Sequence, residues 1–298
     1  MKKIIKKIIE ILNTLIKTRR FFYYIPGKYS SFGNTAVKTE FGFWYVGNVL
    51  DQKDIACGIL NYGIIEEDET KIVLLIYEYF KNKDFFTMLD IGANTGYYGL
   101  LAANFFDKNV GIFSFEPIKE YADCLNESIR LNRFEDRVKT FNYALSSNAG
   151  LSKISIDGTC SSMEQEINTR QDVPSREIVT KKLDTVASEL NITPDFIKID
   201  VEGHELETLK GGAALLEKTK PVLFVEIIQT ISDWKWVNDD YQKTLDFISK
   251  IGYKSYSLKD GELKEVSNDT LVDGVCMYLF LHPQKHSELS NRLLKHAE

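Results

Sequence analysis

Apolar and polar positions repeat along this chain with two periods, and the changes of period mark its elements. Over residues 1–20, isoleucine and leucine at 4, 5, 8, 9, 12, 15 and 16 form one helical stripe with lysines opposite. Residues 21–65 have no sustained period and are rich in aromatics and glycine, which predicts short strands or an irregular cap. Ile72, Leu75, Ile76 and Tyr79 share one helical face, so a helix is expected over 69–81. Beyond it, short apolar runs at 87–91, 111–116, 139–144, 196–200 and 221–228 read as strands. Helical spacing falls at 97–106, 119–132, 205–211 and 241–251.

Strand and helix patterns in alternation predict a sheet that is parallel and covered on both faces. Toward the end, 253–258 follows a turn at Gly252, a polar turn follows at Asp260-Gly261, and 275–281 is a last apolar strand. The expected fold is α/β, with a doubly wound, mostly parallel seven-stranded sheet, a last antiparallel strand and an N-terminal helical and aromatic extension. The polar stretch 146–182 is expected as short strands and loop over one sheet edge. The expected organisation is an N-terminal helix and cap over 1–65, a doubly wound α/β domain over 66–285 and a tail over 286–298.

Composition changes this picture little. The chain has 298 residues, 44% hydrophobic and 27% charged, with a formal net charge of −6. That balance gives no electrostatic argument for nucleic acid as a partner. Cys57, Cys124, Cys160 and Cys276 are scattered, which fits free thiols in a reducing, cytoplasmic compartment rather than a disulfide framework or a zinc site. No apolar run approaches the ~18 residues of a membrane span. Residues 1–20 carry seven Lys/Arg and one Glu. Lys6, Lys7 and Glu10 break the apolar core that a signal peptide would need. A helix lying on the inner face of a membrane is one reading of this segment. Packing on the domain, or on a partner subunit in a homo-oligomer, is the other.

The most informative segment is 88–96, an apolar strand ending in Asp90 and running into Gly92-Ala93-Asn94-Thr95-Gly96 before a helix. Such a turn presents free backbone N–H groups that hold an anionic or zwitterionic ligand. Glycines at 92, 96 and 99 do not make the G-x-G-x-x-G of dinucleotide folds, so close approach of a pyrophosphate is poorly provided. The spacing suits the amino-acid moiety of S-adenosylmethionine better. The next strand ends in Glu116, placed to accept from ribose hydroxyls, a feature that both cofactor classes share. A helix-start acid with Pro117 at the first helical position is its structural alternative.

Five segments now stand in order: LDIGANTGYYGLLAA (89–103), FSFEPIKEYADCLNESIRLN (113–132), KTFNYALSS (139–147), FIKIDVEGHELETLKGG (196–212) and PVLFVEI (221–227). Together they resemble the FkbM family of S-adenosylmethionine-dependent methyltransferases, over roughly 85–260. The resemblance implies a class I Rossmann-like fold, S-adenosylmethionine as cofactor, and cofactor contacts at Gly92, Ala93, Asn94, Gly96, Glu116 and near Ala144. With Asp90 and Asp200, these are the candidate cofactor residues.

Chemistry is expected at the ends of two later strands. Lys198 interrupts an apolar run and needs a partner, Asp200 ends its strand, and Glu226 ends the next. Adjacent parallel strands would set Asp200 and Glu226 side by side. Asp200, His204 and Glu226 are therefore the candidate catalytic residues. Either His204 or Asp200 takes the proton of a hydroxyl acceptor, or Asp200 and Glu226 hold a divalent cation. Glu202 and Glu205 read as acids at a helix start. Tyr97 and Tyr98 read as packing residues, Trp234 and Trp236 as candidates for an acceptor pocket, and 158–162 as a weaker one.

The expected function is O-methylation of a sugar or glycan hydroxyl. A non-sugar metabolite such as a polyketide is the alternative acceptor. An NAD(P)-dependent oxidoreductase is disfavoured by the missing glycine fingerprint and the absence of a Tyr-x-x-x-Lys pair. A non-catalytic scaffold is disfavoured by the intact turn and Glu116.

Overall fold

A computed structural model describes residues 22–24, 34–156, 161–164, 174–231, 236–238, 240–259, 261–267 and 275–295. Its centre is an eight-stranded sheet. In chain order the strands are β1 (Phe86–Ile91), β2 (Val110–Phe115), β3 (Val138–Phe141), β4 (Phe196–Ile199), β5 (Val222–Ile228), β6 (Lys254–Lys259), β7 (Glu262–Val266) and β8 (Val275–Leu281). Across the sheet they run β7-β6-β8-β5-β4-β1-β2-β3. From β5 to β3 every pairing is parallel. From β5 to β7 every pairing is antiparallel.

The count is eight, not the expected seven, because β7 forms a hairpin with β6. Its sequence, Glu-Leu-Lys-Glu-Val, buries only Leu263 and has no apolar run to betray a strand. Position 139–144 also differs from expectation. The chain leaves the main sheet after Phe141, and Ala144–Leu145 joins a separate three-stranded sheet with Gly150–Ser155 and Ser175–Lys181. Asn142 makes the break, donating from its side chain to the carbonyls of Glu116 and Pro117 at 2.9 Å each.

The helices are α1 (Ile55–Tyr62), α2 (Glu67–Phe80), α3 (Tyr97–Phe106), α4 (Lys119–Asn132), α5 (Leu183–Glu189), α6 (Glu205–Gly211), α7 (Ala213–Thr219), α8 (Tyr241–Lys250) and α9 (Ser287–Lys295). Side chains alternate between the two faces of each strand. Phe86, Met88, Phe196 and Phe224 pack with residues of α2, α3 and α9. Leu89, Ile91, Ile197 and Ile199 pack with residues of α5, α6 and α8. The sheet is thus doubly covered, as the apolar strands require.

The described residues from 34 to 65 pack on the rest of the chain. Strands Thr35–Lys38 and Trp44–Gly47 lie against α4, where Trp44 N donates to Asn132 Oδ1 at 2.7 Å and Val46 N to Ser128 Oγ at 2.9 Å. Val37, Phe43, Tyr45, Ala56 and Ile59 join the core that contains α2 and α3. Within the segment expected to be irregular, α1 is capped by Asp54 accepting from Ala56 N and ended by Gly63 in the left-handed region. Among the described residues no helix is long and apolar enough to cross a membrane. Among the described residues Cys57, Cys124 and Cys276 take part in no disulfide. Residues 1–20 lie outside the described residues.

Candidate active site

The chain passes from β1 to β2 on one side and later places β4 on β1's other side, so a crevice opens beyond the C-terminal ends of β1 and β4. The turn after β1 fills its floor. Gly92 N and Ala93 N both donate to Phe115 O at 3.0 Å, tying the turn to the end of β2. Asn94 has φ 51° and donates its N–H to Glu116 Oε2 at 2.8 Å. Ile118 N donates to Glu116 Oε1 at 2.7 Å. Glu116 thereby fastens both turns while each oxygen keeps a further lone pair. Burial pushes its carboxyl up to about 7, against the pull of these two N–H groups. Helix α4 starts at Lys119 with Ile118 as its cap, so Pro117 precedes the helix instead of opening it.

Asp90 stands behind the turn, 1% exposed. Its Oδ2 accepts from Gly99 N at 3.2 Å, and its Oδ1 has no hydrogen-bond partner among the described residues. Burial raises it to about 6, opposed by the charge of Lys198. Asp90 does not line the cavity, unlike the other expected cofactor residues Gly92, Ala93, Asn94, Glu116 and Ala144. Gly96 is beneath the turn, where a Cβ would lie 2.1 Å from Leu125 Cδ1.

The cavity measures about 340 Å³, within the range of roughly 300–1,000 Å³ that holds small molecules and cofactors. Ile118, Ala144, Ile154 and Met163 form an apolar wall beside Glu116. The opposite wall is acidic: Glu66, Asp200, Glu202 and Glu226 line it, with Lys198 among them. The register pairs Ile199 with Val225, which sets Asp200 beside Glu226 as parallel strands require. Carboxylate oxygens of Asp200, Glu202 and Glu226 lie within 4.8 Å of one another, a spacing at which they could hold a cation. Burial and the neighbouring Asp200 push Glu202 and Glu226 well above the usual carboxylate range. Protonated or cation-bound, they relieve that repulsion.

Lys198 finds the partner its position demands. Its Nζ is 2.8 Å from Asp200 Oδ2 and 4.9 Å from the centre of the Tyr98 ring. Burial works against its charge, but Asp200, Asp90 and Glu66 together raise its pKa. Tyr98 OH donates to Glu66 Oε2 at 2.5 Å, so Tyr98 packs and also tethers the acidic wall. Of the two acids expected at the helix start, Glu205 is there, its Oε1 accepting from Gly203 N at 2.8 Å. Glu202 instead faces the cavity.

His204 lines the cavity with both ring nitrogens engaged: Nδ1 is 2.7 Å from Glu164 Oε1 and Nε2 is 3.0 Å from Ser146 Oγ. Trp234 and residues 158–160 lie outside the described residues, as does the side chain of Trp236. Ser161 lines the cavity. Sequence reasoning missed Asp54, Glu66 and Met163. Asp54 carried a signal, as an acid one residue before a short apolar segment that ends at glycine; Glu66 and Met163 carried none.

Residues 90–255 match the family model described as Methyltransferase FkbM domain. The chain belongs to this family. It is 30% identical over 164 residues to the hexuronic acid methyltransferase AglP of Haloferax volcanii, covering 53% of this chain and 62% of that protein. The FkbM chain thus spans less than two thirds of that relative. A solved FkbM methyltransferase from Methylobacillus flagellatus KT is 18% identical with a TM-score of 0.44, over 77% of this chain and 55% of that one. An O-methyltransferase from Bacillus cereus, solved in complex with SAH, is 16% identical with a TM-score of 0.44, over 78% and 88%. As a member of the FkbM family the chain is of the class that uses S-adenosylmethionine.

Proposed function

We propose that this protein transfers a methyl group from S-adenosylmethionine to a hydroxyl of a sugar or glycan. The observation that carries the proposal is a single cavity with the Gly92–Asn94 turn and Glu116 on one side and the Asp200–Glu202–Glu226 acids on the other. S-adenosylmethionine, when bound, supplies an electrophilic methyl group on a positively charged sulfur. The chemistry of the walls fits that group. Glu116 has free lone pairs for ribose hydroxyls, and the wall of Ile118, Ala144, Ile154 and Met163 suits a purine ring. The acids favour a cationic donor over its neutral product.

An acceptor hydroxyl that took the methyl group would have to lose its proton, and the residues of the acidic wall would receive it. We assign the removal of that proton to Glu226 or Asp200, which line the acidic side of the cavity. Asp200 is held by Lys198, and Glu226, whose ionised form burial and Asp200 disfavour, would be a strong base once ionised. A second reading has the three acids hold a divalent cation that lowers the hydroxyl's pKa. It is supported by the third ligand, Glu202.

The sugar acceptor rests on AglP, whose name records hexuronic acid. An acidic wall opposes an anionic acceptor unless a cation bridges them, so the metal-free reading favours a neutral sugar here. Residues 1–20, on their composition, would bring the enzyme to an anionic membrane face where lipid-linked glycans are built.

The test is mass spectrometry for added methyl groups on nucleotide sugars and glycans, with and without a chelator. Methylated sugar in both arms supports the carboxylate base, and loss with chelator, restored by magnesium, supports the cation. Thermal shift with S-adenosylmethionine, S-adenosylhomocysteine and NAD tests the cofactor, and stabilisation by NAD alone would overturn the proposal.

A further inference from the structure

The segment Ser161–Glu164 crosses the rim of the cavity and is bolted at both ends. On one side Ser162 forms a β-bridge with Ser155, with Ser155 N donating to Ser162 O at 2.8 Å and Ser162 N to Ser155 O at 3.1 Å. On the other, Ser162 Oγ donates to Glu202 O at 2.5 Å, and the Glu164 carboxylate meets His204 Nδ1 at 2.7 Å. His204 is itself pinned through Nε2 to Ser146 Oγ, just after the strand that carries Ala144. Between the two attachments Met163 lines the cavity and packs with Ile118, Ala144 and Ile154.

We infer that His204 is a positioning residue, which with Glu164 clamps this strap so that Met163 closes the apolar wall over the bound cofactor. The residue is 8% exposed. A general base needs a lone pair open to the acceptor, and here one nitrogen faces a carboxylate and the other a serine hydroxyl. With Nδ1–H donating to Glu164, Nε2 accepts from Ser146, so one tautomer satisfies all three groups. The unbranched Met163 side chain is well suited to cover a flat ring. The strap joins the cofactor wall to the turn bearing Glu202, so one small network orders both halves of the cavity. The cofactor named here rests on the reading under Proposed function.

The clamp itself is testable without any ligand. Hydrogen exchange at the amides of Ser162 and Glu164 in the full chain is expected to speed up about tenfold in Glu164→Ala and His204→Ala. Glu164→Gln, which keeps a hydrogen-bond acceptor, should restore most of the protection. Unchanged exchange in both alanine variants would overturn the clamp. Glu164 has a half-exposed side chain, so its variants probe the strap even where His204→Ala fails to fold.

Calorimetry with S-adenosylhomocysteine reads the consequence. Glu164→Ala, His204→Ala and Met163→Ala should each weaken binding about tenfold, with kcat at saturating donor falling less than about threefold. The Glu164→Ala/His204→Ala double variant should be no weaker than either alone. A fall in kcat of about a hundredfold in His204→Ala with unchanged affinity would make it the base and overturn the proposal. Failure of the wild-type chain to bind S-adenosylhomocysteine would overturn the cofactor reading, and Met163's role with it, while the exchange measurement still decides the clamp.

Discussion

A Cβ placed on Gly92 would lie 1.7 Å from the backbone carbonyl oxygen of Asp200. The end of β1 and the end of β4 therefore meet through a position that tolerates no side chain. Gly92 also has φ 73°, in the left-handed region that glycine alone adopts freely. The cofactor turn and the first catalytic candidate are held in contact by this one residue.

Gly92→Ala must push the two strand ends apart and strain the backbone. Overpacking and a left-handed alanine together amount to about 3 kcal/mol. Urea denaturation should show a midpoint lowered accordingly, with binding of S-adenosylhomocysteine abolished. A wild-type midpoint would show that the turn has more room than the structure allows.

If Glu116 binds the cofactor's ribose as proposed, it links that binding to pH. Its carboxyl sits at about 7 in the folded chain, above its ordinary value, because burial disfavours the charge. The stability this contributes is fully present below the unfolded pKa and is lost as pH rises through about 7. The ligand-free protein should therefore melt lower at pH 8 than at pH 6. Ribose hydroxyls donating to the carboxylate favour its charged form, so binding should release protons near pH 7 and tighten as pH rises. Calorimetry in buffers of different ionisation enthalpy measures that release. In Glu116→Gln the release should vanish and affinity fall by about one to two orders of magnitude.

Glu226, proposed as a base, carries a local penalty. Burial and the charge of Asp200 raise its pKa well above normal, so ionising it opposes folding as pH rises. Glu226→Gln removes that charge and should raise Tm at pH 8 while kcat drops by about a hundredfold. Scanning calorimetry and initial rates on one preparation check both halves. A lower Tm together with full activity would place Glu226 among structural residues.

His286 makes the opposite pH statement, far from the cavity. Its Nδ1 accepts from His282 N at 3.0 Å just beyond β8, and its Nε2 is buried without a partner among the described residues. Burial first, then Lys285 and His282, lower its pKa to about 3. The stability contributed is present above the unfolded value of about 6.5 and is lost as pH falls from there toward 3. His286→Gln can keep the accepted hydrogen bond without taking up a proton. Urea midpoints between pH 7 and pH 4 should fall less steeply in that variant than in the wild type.

What the chain's sequence determined by itself was everything carried by local period and turn chemistry. Helices Tyr97–Phe106, Lys119–Asn132 and Glu205–Gly211 stand where the apolar spacing placed them, and the parallel strands differ from expectation by a residue or so, apart from the run 139–144, which leaves the main sheet after Phe141. The spacing of Gly92, Gly96 and Gly99 pointed to the methyl-donor class, and Glu116 after the next strand fitted either class. Ile55–Tyr62 and Ala213–Thr219 escaped, since two turns of helix give only a weak period and neither follows a strand run as Glu205–Gly211 does. The rest belonged to tertiary structure. Lys198 could be seen to need a partner, but only the fold chose Asp200 over the other carboxylates and set Tyr98 beneath it. Glu66, Glu202 and Glu226 come from three separate stretches of chain, and only the crossing of β4 and β5 beside the N-terminal segment gathers them around one cavity. His204 read as a base because its sequence neighbours are acids and a strand end. Its partners Glu164 and Ser146 lie 40 and 58 residues away in the chain, at distances that no local pattern encodes.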